Sequence, residues 1–172
     1  MIQIYCGDGK GKTSAAVGAA VRFAGSGGKV LFYQFMKDQT SGERNILEMI
    51  PLITVVQGYR MPEFSFRMNE EEKAEAGRRF REEFEKISEM IRNDSGYGMI
   101  IFDEIISCIN AGFLDIERVM EFLREYSGKT EIIMTGRNPS EEAAGIADYI
   151  SEIKKVKHPF DNGITARKGI EY

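Results

Sequence analysis

The sequence predicts an α/β fold in which a mostly parallel β-sheet is flanked by helices, and three observations support this prediction. Short apolar runs recur along the chain and alternate with longer stretches of helical periodicity. The run at residues 29–35 is almost continuously apolar, as in a parallel strand that is covered on both faces. A glycine-rich segment at residues 6–14 lies between an apolar run and a helix-forming stretch, so the local order is strand, turn, helix.

Length, charge and cysteine content narrow the class of protein. The 172 residues suit a single domain, residues 1–172, with a sizeable core. The net charge of −4 and a pI near 5.2 argue against nucleic acid as the main partner. We expect no signal peptide, because the charged Asp8 and Lys10 interrupt the N-terminus early, and no membrane contact, because no apolar run approaches the roughly 20 residues that span a bilayer. Cys6 and Cys108 are expected to be core residues in a reducing cytoplasm.

The first half of the chain predicts three strands, two helices and a polar loop. Residues 1–5 predict a strand, and residues 13–24 predict a helix that is rich in Ala and Val on all sides and therefore buried against the sheet. The segments that follow predict, in order, a strand at 29–35, a polar loop at 36–42, a short helix at 43–49 and a strand at 52–56.

The segment at residues 58–68 has no helical or strand period, although it is rich in aromatic residues and methionine. Two interpretations remain open from the residues alone. The segment either folds back on the core or meets a flat apolar ligand, for which aromatic and methionine side chains are suited.

A long helix is predicted after this segment and ends near residue 92. Asn69 is the predicted N-cap, and Glu72 lies three residues further on, as in a capping box. Four apolar residues are spaced by four, three and four and predict one buried stripe: Phe80, Phe84, Ile87 and Ile91.

The second half of the chain predicts three further strands and two helices. Residues 98–102 predict a strand that ends in an acidic pair, and residues 115–126 predict an amphipathic helix with Ile116, Val119, Met120 and Leu123 inward. The remaining predictions are a strand at 130–134, a helix through 143–147 with Asn138 as N-cap and Pro139 as its first residue, and a last strand at 149–156.

The glycine-rich segment predicts a phosphate-binding loop. Gly7, Gly9 and Gly11 let the backbone N–H groups point at an anion, and the next helix presents its positive end there. Lys12 can reach phosphate oxygens, and the Thr13 hydroxyl can bind Mg²⁺. The pattern G-x-x-x-x-G-K-[ST] would place a glycine where the chain has Cys6, and an extra lysine, Lys10, lies inside the loop. The alternative is a glycine-rich turn with solvated lysines.

Two further groups at strand ends extend this P-loop (RecA-like) nucleotide-binding prediction. Asp103 and Glu104 follow a buried strand, where one carboxylate can hold Mg²⁺ and the other can orient a water or a ligand. Arg137 follows another strand and is a candidate phosphate or base contact. The alternatives are two exposed carboxylates and a purely structural turn. The lone His158 is treated as a structural residue, because a single histidine is more often packed or exposed than catalytic.

Several stretches together carry a resemblance to a known family. They are the loop at residues 7–13, Arg22, the segments 34–37 and 42–48, Asp103-Glu104, the turn at 135–137, and the ending at 147–148, 157–160 and 169–172. On these residues the chain resembles the ATP:corrinoid adenosyltransferases of the cobalamin-synthesis type, also called cob(I)alamin adenosyltransferases. Some members carry an N-terminal extension that helps to cover the corrinoid, whereas this sequence begins at its first predicted strand.

The resemblance implies an enzyme that transfers the 5′-deoxyadenosyl group of ATP to the Co(I) centre of a corrinoid and releases triphosphate. Its implied catalytic residues are Lys12, Thr13 and Glu104. The residues implied to bind ATP are Gly7, Asp8, Gly9, Lys10, Gly11, Lys12, Thr13, Ser14, Arg22 and Arg137. Mg²⁺ or Mn²⁺ is implied at Thr13, Asp103 and Glu104. The aromatic pair Phe64 and Phe66 is implied to contact the lower face of the corrin.

The resemblance also implies partners. ATP is the co-substrate, and the corrinoid substrate is cobalamin or cobinamide. A flavin or flavoprotein is the implied reductant, and a homodimer is the implied assembly. Two other readings remain open: another P-loop kinase or ATPase, and a non-catalytic homologue that binds nucleotide or corrinoid.

Overall fold

The computed structural model of the chain describes residues 1–37, 40–61, 67–94 and 96–170, in which strands and helices alternate. The strands are β1 (Ile2–Cys6), β2 (Lys29–Gln34), β3 (Ile53–Val55), β4 (Tyr97–Asp103), β5 (Glu131–Thr135) and β6 (Tyr149–Glu152). The helices are α1 (Lys12–Gly25), α2 (Gly42–Leu47), α3 (Glu70–Asn93), α4 (Ile105–Asn110), α5 (Ile116–Tyr126) and α6 (Glu141–Ile146), followed by a 3₁₀ turn at Pro159–Asn162.

The strands form one sheet in the order β3-β2-β4-β5-β1-β6, and each neighbouring pair is parallel. The prediction of an α/β fold with a parallel sheet is therefore confirmed. Parallel strands end at a common edge, so the chain leaves β1, β2, β4 and β5 on the same side of the sheet. Among the helices of the described residues, none is both long and apolar enough to cross a membrane.

Alternate residues of the central strands face two apolar layers. On β2, Val30 and Phe32 belong to the layer that contains α1, whereas Leu31 and Tyr33 belong to the layer that contains α3 and α5. Helix α1 buries a stripe of residues spaced by four, namely Lys12, Ala16, Ala20 and Ala24. The prediction that α1 is buried against the sheet is confirmed, because the three alanines of this stripe pack with apolar residues of the strands, while its other faces are exposed or half-buried.

Helix α3 agrees with its prediction in detail. The Asn69 side chain accepts a hydrogen bond from the backbone N–H of Glu72, and the Glu72 carboxylate accepts one from the backbone N–H of Asn69. The predicted stripe of Phe80, Phe84, Ile87 and Ile91 is buried. On α5, Val119, Met120 and Leu123 are buried as predicted, Ile116 is half-buried, and Phe122 is a further buried residue.

Two local predictions are wrong, and one short helix has no counterpart among the predictions. Helix α4 follows β4 almost directly and was not expected from its sequence. The N-cap of α6 is Ser140, which accepts a hydrogen bond from the N–H of Ala143, because Asn138 has a left-handed backbone with φ of 50°. The last strand ends at Glu152 rather than at residue 156, and Val156 is 95% exposed.

Candidate nucleotide-binding site

The glycine-rich loop is held in place by the chain that follows β6. The N–H of Gly9 donates to the carbonyl of Ile153 at 2.8 Å, and the N–H of Lys155 donates to Asp8 Oδ1 at 3.0 Å. Gly7 has a φ of 104°, and a Cβ added there would lie 2.4 Å from the Ile153 oxygen. Glycine is therefore required at position 7 both by its backbone angle and by this close approach.

Lys12 begins α1 and lies under the loop. Its side chain is 8% exposed, and its ammonium donates hydrogen bonds to the carbonyls of Gly7 and Gly9, each at 2.9 Å. Burial lowers the pKa of Lys12, and the negative charge of Glu104 partly offsets this effect. Lys12 is thus a buried cation at the centre of the loop, unlike the solvated lysine of the alternative interpretation.

Asp103, the last residue of β4, collects hydrogen bonds from three elements. Its buried carboxylate accepts from the Thr13 hydroxyl at 3.0 Å, from the Thr135 hydroxyl at 2.6 Å and from Gln34 Nε2 at 3.1 Å. Lys37 Nζ lies 3.7 Å from the same carboxylate. Because these groups surround its carboxylate, Asp103 is closed off from solvent and fixes the orientation of the Thr13, Thr135 and Gln34 side chains.

Glu104 has a left-handed backbone with φ of 60°, an unusual conformation for a residue with a side chain. Its N–H donates to the Thr135 hydroxyl at 2.8 Å, and its carboxylate accepts from the Ser107 hydroxyl at 2.6 Å. Met36 and Asn138, which follow β2 and β5, also have positive φ. Strained backbone at three strand ends on one edge is typical of a ligand site.

A cavity of about 640 Å³ opens between this loop and the strand ends, within the usual size range of small-molecule sites. It is lined by residues that the sequence predicted for ATP binding: Asp8, Gly9, Lys10, Gly11, Lys12, Thr13, Ser14 and Arg137, together with Glu104. Gly7, at the start of the loop, does not line the cavity, and its carbonyl accepts a hydrogen bond from Lys12. The structure thus brings most of the predicted ATP residues together around one cavity.

Arg22 does not line this cavity. It lies in the last turn of α1, at the opposite end of the helix from Lys12. Arg137 does line it, and the turn that carries Arg137 is fixed by Asn110, whose side-chain NH₂ donates to the carbonyls of Arg137 and Asn138 at 2.7 and 3.1 Å. A role for Arg22 in ATP binding stays a prediction.

Several cavity residues were not predicted as site residues: Val17, Lys37, Gly42, Glu43, His158, Gly169 and Ile170. Lys37 lies in the polar loop after β2, and Glu43 lies at the start of α2. Their position after the carboxyl end of a parallel strand could have identified them as site residues from the sequence. His158 lies in the C-terminal tail, where its Nδ1 accepts a hydrogen bond from the N–H of Phe160. The tail has no periodic sequence pattern from which its return to the glycine-rich loop could be predicted.

Phe64 and Phe66 lie outside the described residues. On either side of them, Met61 and Met68 are buried in the core, and the Tyr59 ring packs edge-on against Phe80 at a centroid distance of 5.4 Å. The described parts of the 58–68 segment therefore fold back on the core, as one of the two interpretations expected.

The donors around the cavity fit a Mg²⁺ ion that also binds phosphate. Thr13 donates its hydroxyl proton to Asp103, which leaves oxygen lone pairs for a cation, and Glu104 is among the residues that line the cavity. The described residues contain no group of three or more His, Cys, Asp or Glu side chains that could hold a metal by themselves. Mg²⁺ commonly needs only one or two carboxylates when substrate phosphates complete its shell.

The parallel sheet, the glycine-rich loop at the start of α1 and the acidic residue that follows β4 define a P-loop nucleotide-binding α/β protein. A family model described as ATP:corrinoid adenosyltransferase BtuR/CobO/CobP matches residues 1–172. The chain therefore belongs to the ATP:corrinoid adenosyltransferase family, a family of transferase enzymes, and the resemblance seen in the sequence is confirmed.

Curated relatives agree with this assignment. The chain is 33% identical to a corrinoid adenosyltransferase of Escherichia coli strain K12, over 100% of this chain and 85% of that protein. It is 32% identical to a corrinoid adenosyltransferase of a Sinorhizobium species, over 100% of this chain and 80% of the relative. A corrinoid adenosyltransferase CobA of Salmonella typhimurium is 31% identical, over 100% and 85% of the two chains.

The close packing of Gly7 leads to a first prediction. We expect Gly7→Ala to destabilise the protein by about 2–4 kcal/mol and to weaken ATP binding, because the new methyl group meets the Ile153 backbone at an unfavourable φ. Gly18→Ala is the matched control, since nothing lies within 4 Å of its added Cβ on α1, and it should stabilise by about 0.5–1 kcal/mol. Urea unfolding and ATP titration measure both effects. Equal stability of the two variants would contradict the assigned loop geometry.

Proposed function

We propose that this chain is a single P-loop domain that transfers the 5′-deoxyadenosyl group of ATP to the Co(I) centre of a corrinoid and releases triphosphate, in adenosylcobalamin biosynthesis or salvage. The observation that carries the proposal is the match of the adenosyltransferase family over the full length of the chain. The predicted ATP residues that converge on one cavity support it.

The proposed reaction is a nucleophilic substitution at the ribose C5′ of ATP. The electron pair of Co(I) forms the cobalt–carbon bond, the C5′–O bond breaks, and that electron pair leaves with the triphosphate. The nucleophile belongs to the corrinoid substrate. The protein therefore has to bind both substrates, orient the cobalt towards C5′ and exclude water. Its main electrostatic task is to stabilise a highly charged leaving group.

The residues around the cavity suit that task. Lys12 lies under the loop with its ammonium bonded to two loop carbonyls, where it can exchange these bonds for triphosphate oxygens. Lys10 and Arg137 line the same cavity and add positive charge. The backbone N–H groups of residues 8–14 and the N-terminus of α1 provide further donors. These groups would hold the whole triphosphate.

Mg²⁺ or Mn²⁺ would be held by Thr13 and Glu104, with Asp103 behind them as the acceptor that orients Thr13. When bound, the ion would neutralise part of the triphosphate charge. The chain's own contribution is to keep the Thr13 oxygen and the Glu104 carboxylate directed towards the cavity.

The remaining parts of the proposal come from the family. Phe64 and Phe66 would contact the lower face of the corrin and favour loss of the axial ligand, which makes Co(II) easier to reduce. A flavin or flavoprotein would supply the electron. We further propose a homodimer in the cytoplasm that does not act on nucleic acid, which the net charge of −4 supports.

An ATP analogue with a non-hydrolysable β,γ-linkage tests the position of bond cleavage. We expect it to support adenosylation of chemically reduced cobalamin at a rate within about tenfold of ATP, because its C5′–O bond is intact and its phosphate charge is similar. The assay is anaerobic, contains Mg²⁺, and follows the light-labile cobalt–carbon product and the released triphosphate analogue.

The same assay separates the other two readings. A P-loop kinase or ATPase would release ADP or inorganic phosphate from ATP and would fail with the analogue. A non-catalytic homologue would bind ATP and corrinoid without forming product. Either result would overturn the proposed function.

A further inference from the structure

Arg44 on α2 is a buried cation for which the proposed reaction has no role so far. Its side chain is 3% exposed, and burial lowers the pKa of its guanidinium. Its Nη1 atom is buried without a hydrogen-bond partner among the described residues. Burying an arginine with incomplete pairing is costly, so its contacts need an explanation.

Those contacts are made to the chain that leaves β3. Arg44 Nη2 donates to Gln57 Oε1 at 3.2 Å and lies 3.4 Å from the carbonyl of Val56, and Glu48 Oε1 lies 3.7 Å away. We call residues 56–59 the post-β3 segment. It leads directly into the aromatic-rich stretch that contains the proposed corrinoid contacts.

The post-β3 segment is held from a second side by α3. The N–H of Tyr59 donates to Glu83 Oε2 at 2.8 Å, and the Tyr33 hydroxyl donates to the same oxygen. A Cβ added at Gly58 would lie 2.8 Å from the Tyr33 ring. The segment is thus confined between Arg44 on one side and Tyr33 and Glu83 on the other.

The residue before Arg44 connects α2 to the nucleotide cavity. Glu43 lines that cavity, and its Oε1 accepts a hydrogen bond from Gln34 Nε2 at 2.8 Å. The same Gln34 group donates to Asp103, which in turn accepts from Thr13. Adjacent residues of one short helix therefore contact the nucleotide cavity and the post-β3 segment.

We propose that Arg44 is a positioning residue for the corrinoid: it fixes to α2 the post-β3 segment, from which the chain continues into the proposed corrinoid contacts. The proposal rests on the proposed function. Arg44 touches neither the reacting atoms nor the nucleotide cavity, and it acts through Val56 and Gln57. Its loss should therefore affect the corrinoid far more than ATP.

Steady-state kinetics of Arg44→Met and Gln57→Ala test this proposal. We expect Arg44→Met to raise the KM for the corrinoid about tenfold and to change the KM for ATP less than about twofold. The variant loses the hydrogen bonds of the guanidinium to the post-β3 segment, whereas the residues that line the nucleotide cavity are unchanged. Gln57→Ala removes one partner of Arg44 from an exposed position and should raise the corrinoid KM about threefold. Arg44→Lys should lie between wild type and Arg44→Met, because lysine lacks the planar fork.

Matched controls distinguish positioning from general destabilisation. Arg78→Met changes an exposed arginine on α3, paired with Glu75 and Glu82, and should leave both KM values unchanged. The effects of Arg44→Met and Gln57→Ala should be less than additive in the double variant, because they break the same contact. If Arg44→Met does not fold, Gln57→Ala and Arg44→Lys still decide the question.

Two outcomes would overturn the proposal: equal increases in both KM values, or a corrinoid KM within about twofold of wild type in both Arg44→Met and Gln57→Ala. Absorbance titration with cobalamin measures corrinoid affinity without turnover. It tests Arg44 even if the wild-type protein forms no adenosylated product, so failure of this proposal is distinguishable from failure of the proposed function.

Discussion

Replacing Lys12 by alanine should reduce kcat/KM for adenosyl transfer by at least about 100-fold. The ammonium lies under the loop, bonded to the carbonyls of Gly7 and Gly9, and it is the most buried cation of the cavity. In a site that excludes water, removing one preorganised donor to a developing charge commonly costs about 10²–10³ in rate. Anaerobic kinetics with reduced cobalamin and an ATP titration of the free protein provide the measurement.

Lys73→Ala is the matched control for this variant, because Lys73 is a lysine on α3 that pairs with Glu70 outside the cavity. It should leave kcat/KM within about twofold of wild type. The Lys12→Ala protein should remain folded, since the lost bonds are made only to the loop. If it binds ATP as tightly as wild type, the loop does not bind the triphosphate.

Replacing Asp103 by asparagine should destabilise the protein and impair its activity together. The carboxylate is fully buried and accepts hydrogen bonds from Thr13, Thr135 and Gln34, so an amide NH₂ in its place faces donors. We expect a loss of about 3 kcal/mol in the free energy of unfolding, the usual cost of breaking a buried charged network. Adenosyl transfer should fall about 100-fold, because Thr13 loses its orientation.

Asp148→Asn serves as the control for Asp103→Asn. Asp148 Oδ2 accepts a hydrogen bond from the N–H of Ile2 at 2.7 Å, at the opposite end of β1 from the loop. Its change should cost about 1 kcal/mol in urea unfolding and leave the KM for ATP unchanged. If Asp103→Asn behaves in the same way, Asp103 is a structural residue without a part in the nucleotide site.

The elements that the sequence predicted well are those with a strong local signal. The buried run of β2 and the capping box of α3 depend on residues close in the chain, so periodicity and local hydrogen bonding are enough to find them. Helix α4 has no such signal. Its six residues, 105–110, follow the acidic pair that ends β4, and they are too few and too uniformly apolar to show a helical period. In the structure they form a helix whose Ile106 and Ser107 lie close to the turn at Gly136.

The end of β6 illustrates a different limit. Ile153 and Val156 continue an apolar pattern, and the strand was predicted to continue with them. In the structure the carbonyl of Ile153 accepts from Gly9, and the N–H of Lys155 donates to Asp8, so these backbone groups bind the loop instead of β1. Residues 153–156 could pair either with β1 or with the glycine-rich loop. Both partners are distant in sequence, so the local pattern of residues 153–156 does not show which one they bind.

The sequence by itself determined the parallel α/β class, the position of the glycine-rich loop and the family. The α/β class follows from the alternation of apolar runs and helical periodicity, and the loop follows from glycine and lysine at fixed spacing. The family follows from several motifs that occur together along the chain. Only the tertiary structure decided that Lys12 lies buried beneath its own loop, that Asp103 binds Thr13, Thr135 and Gln34, and that Glu43 and His158 face the same cavity while Arg22 does not. The physical reason is that parallel strands bring their carboxyl ends to one edge, where burial and hydrogen-bond partners come from segments distant in the chain.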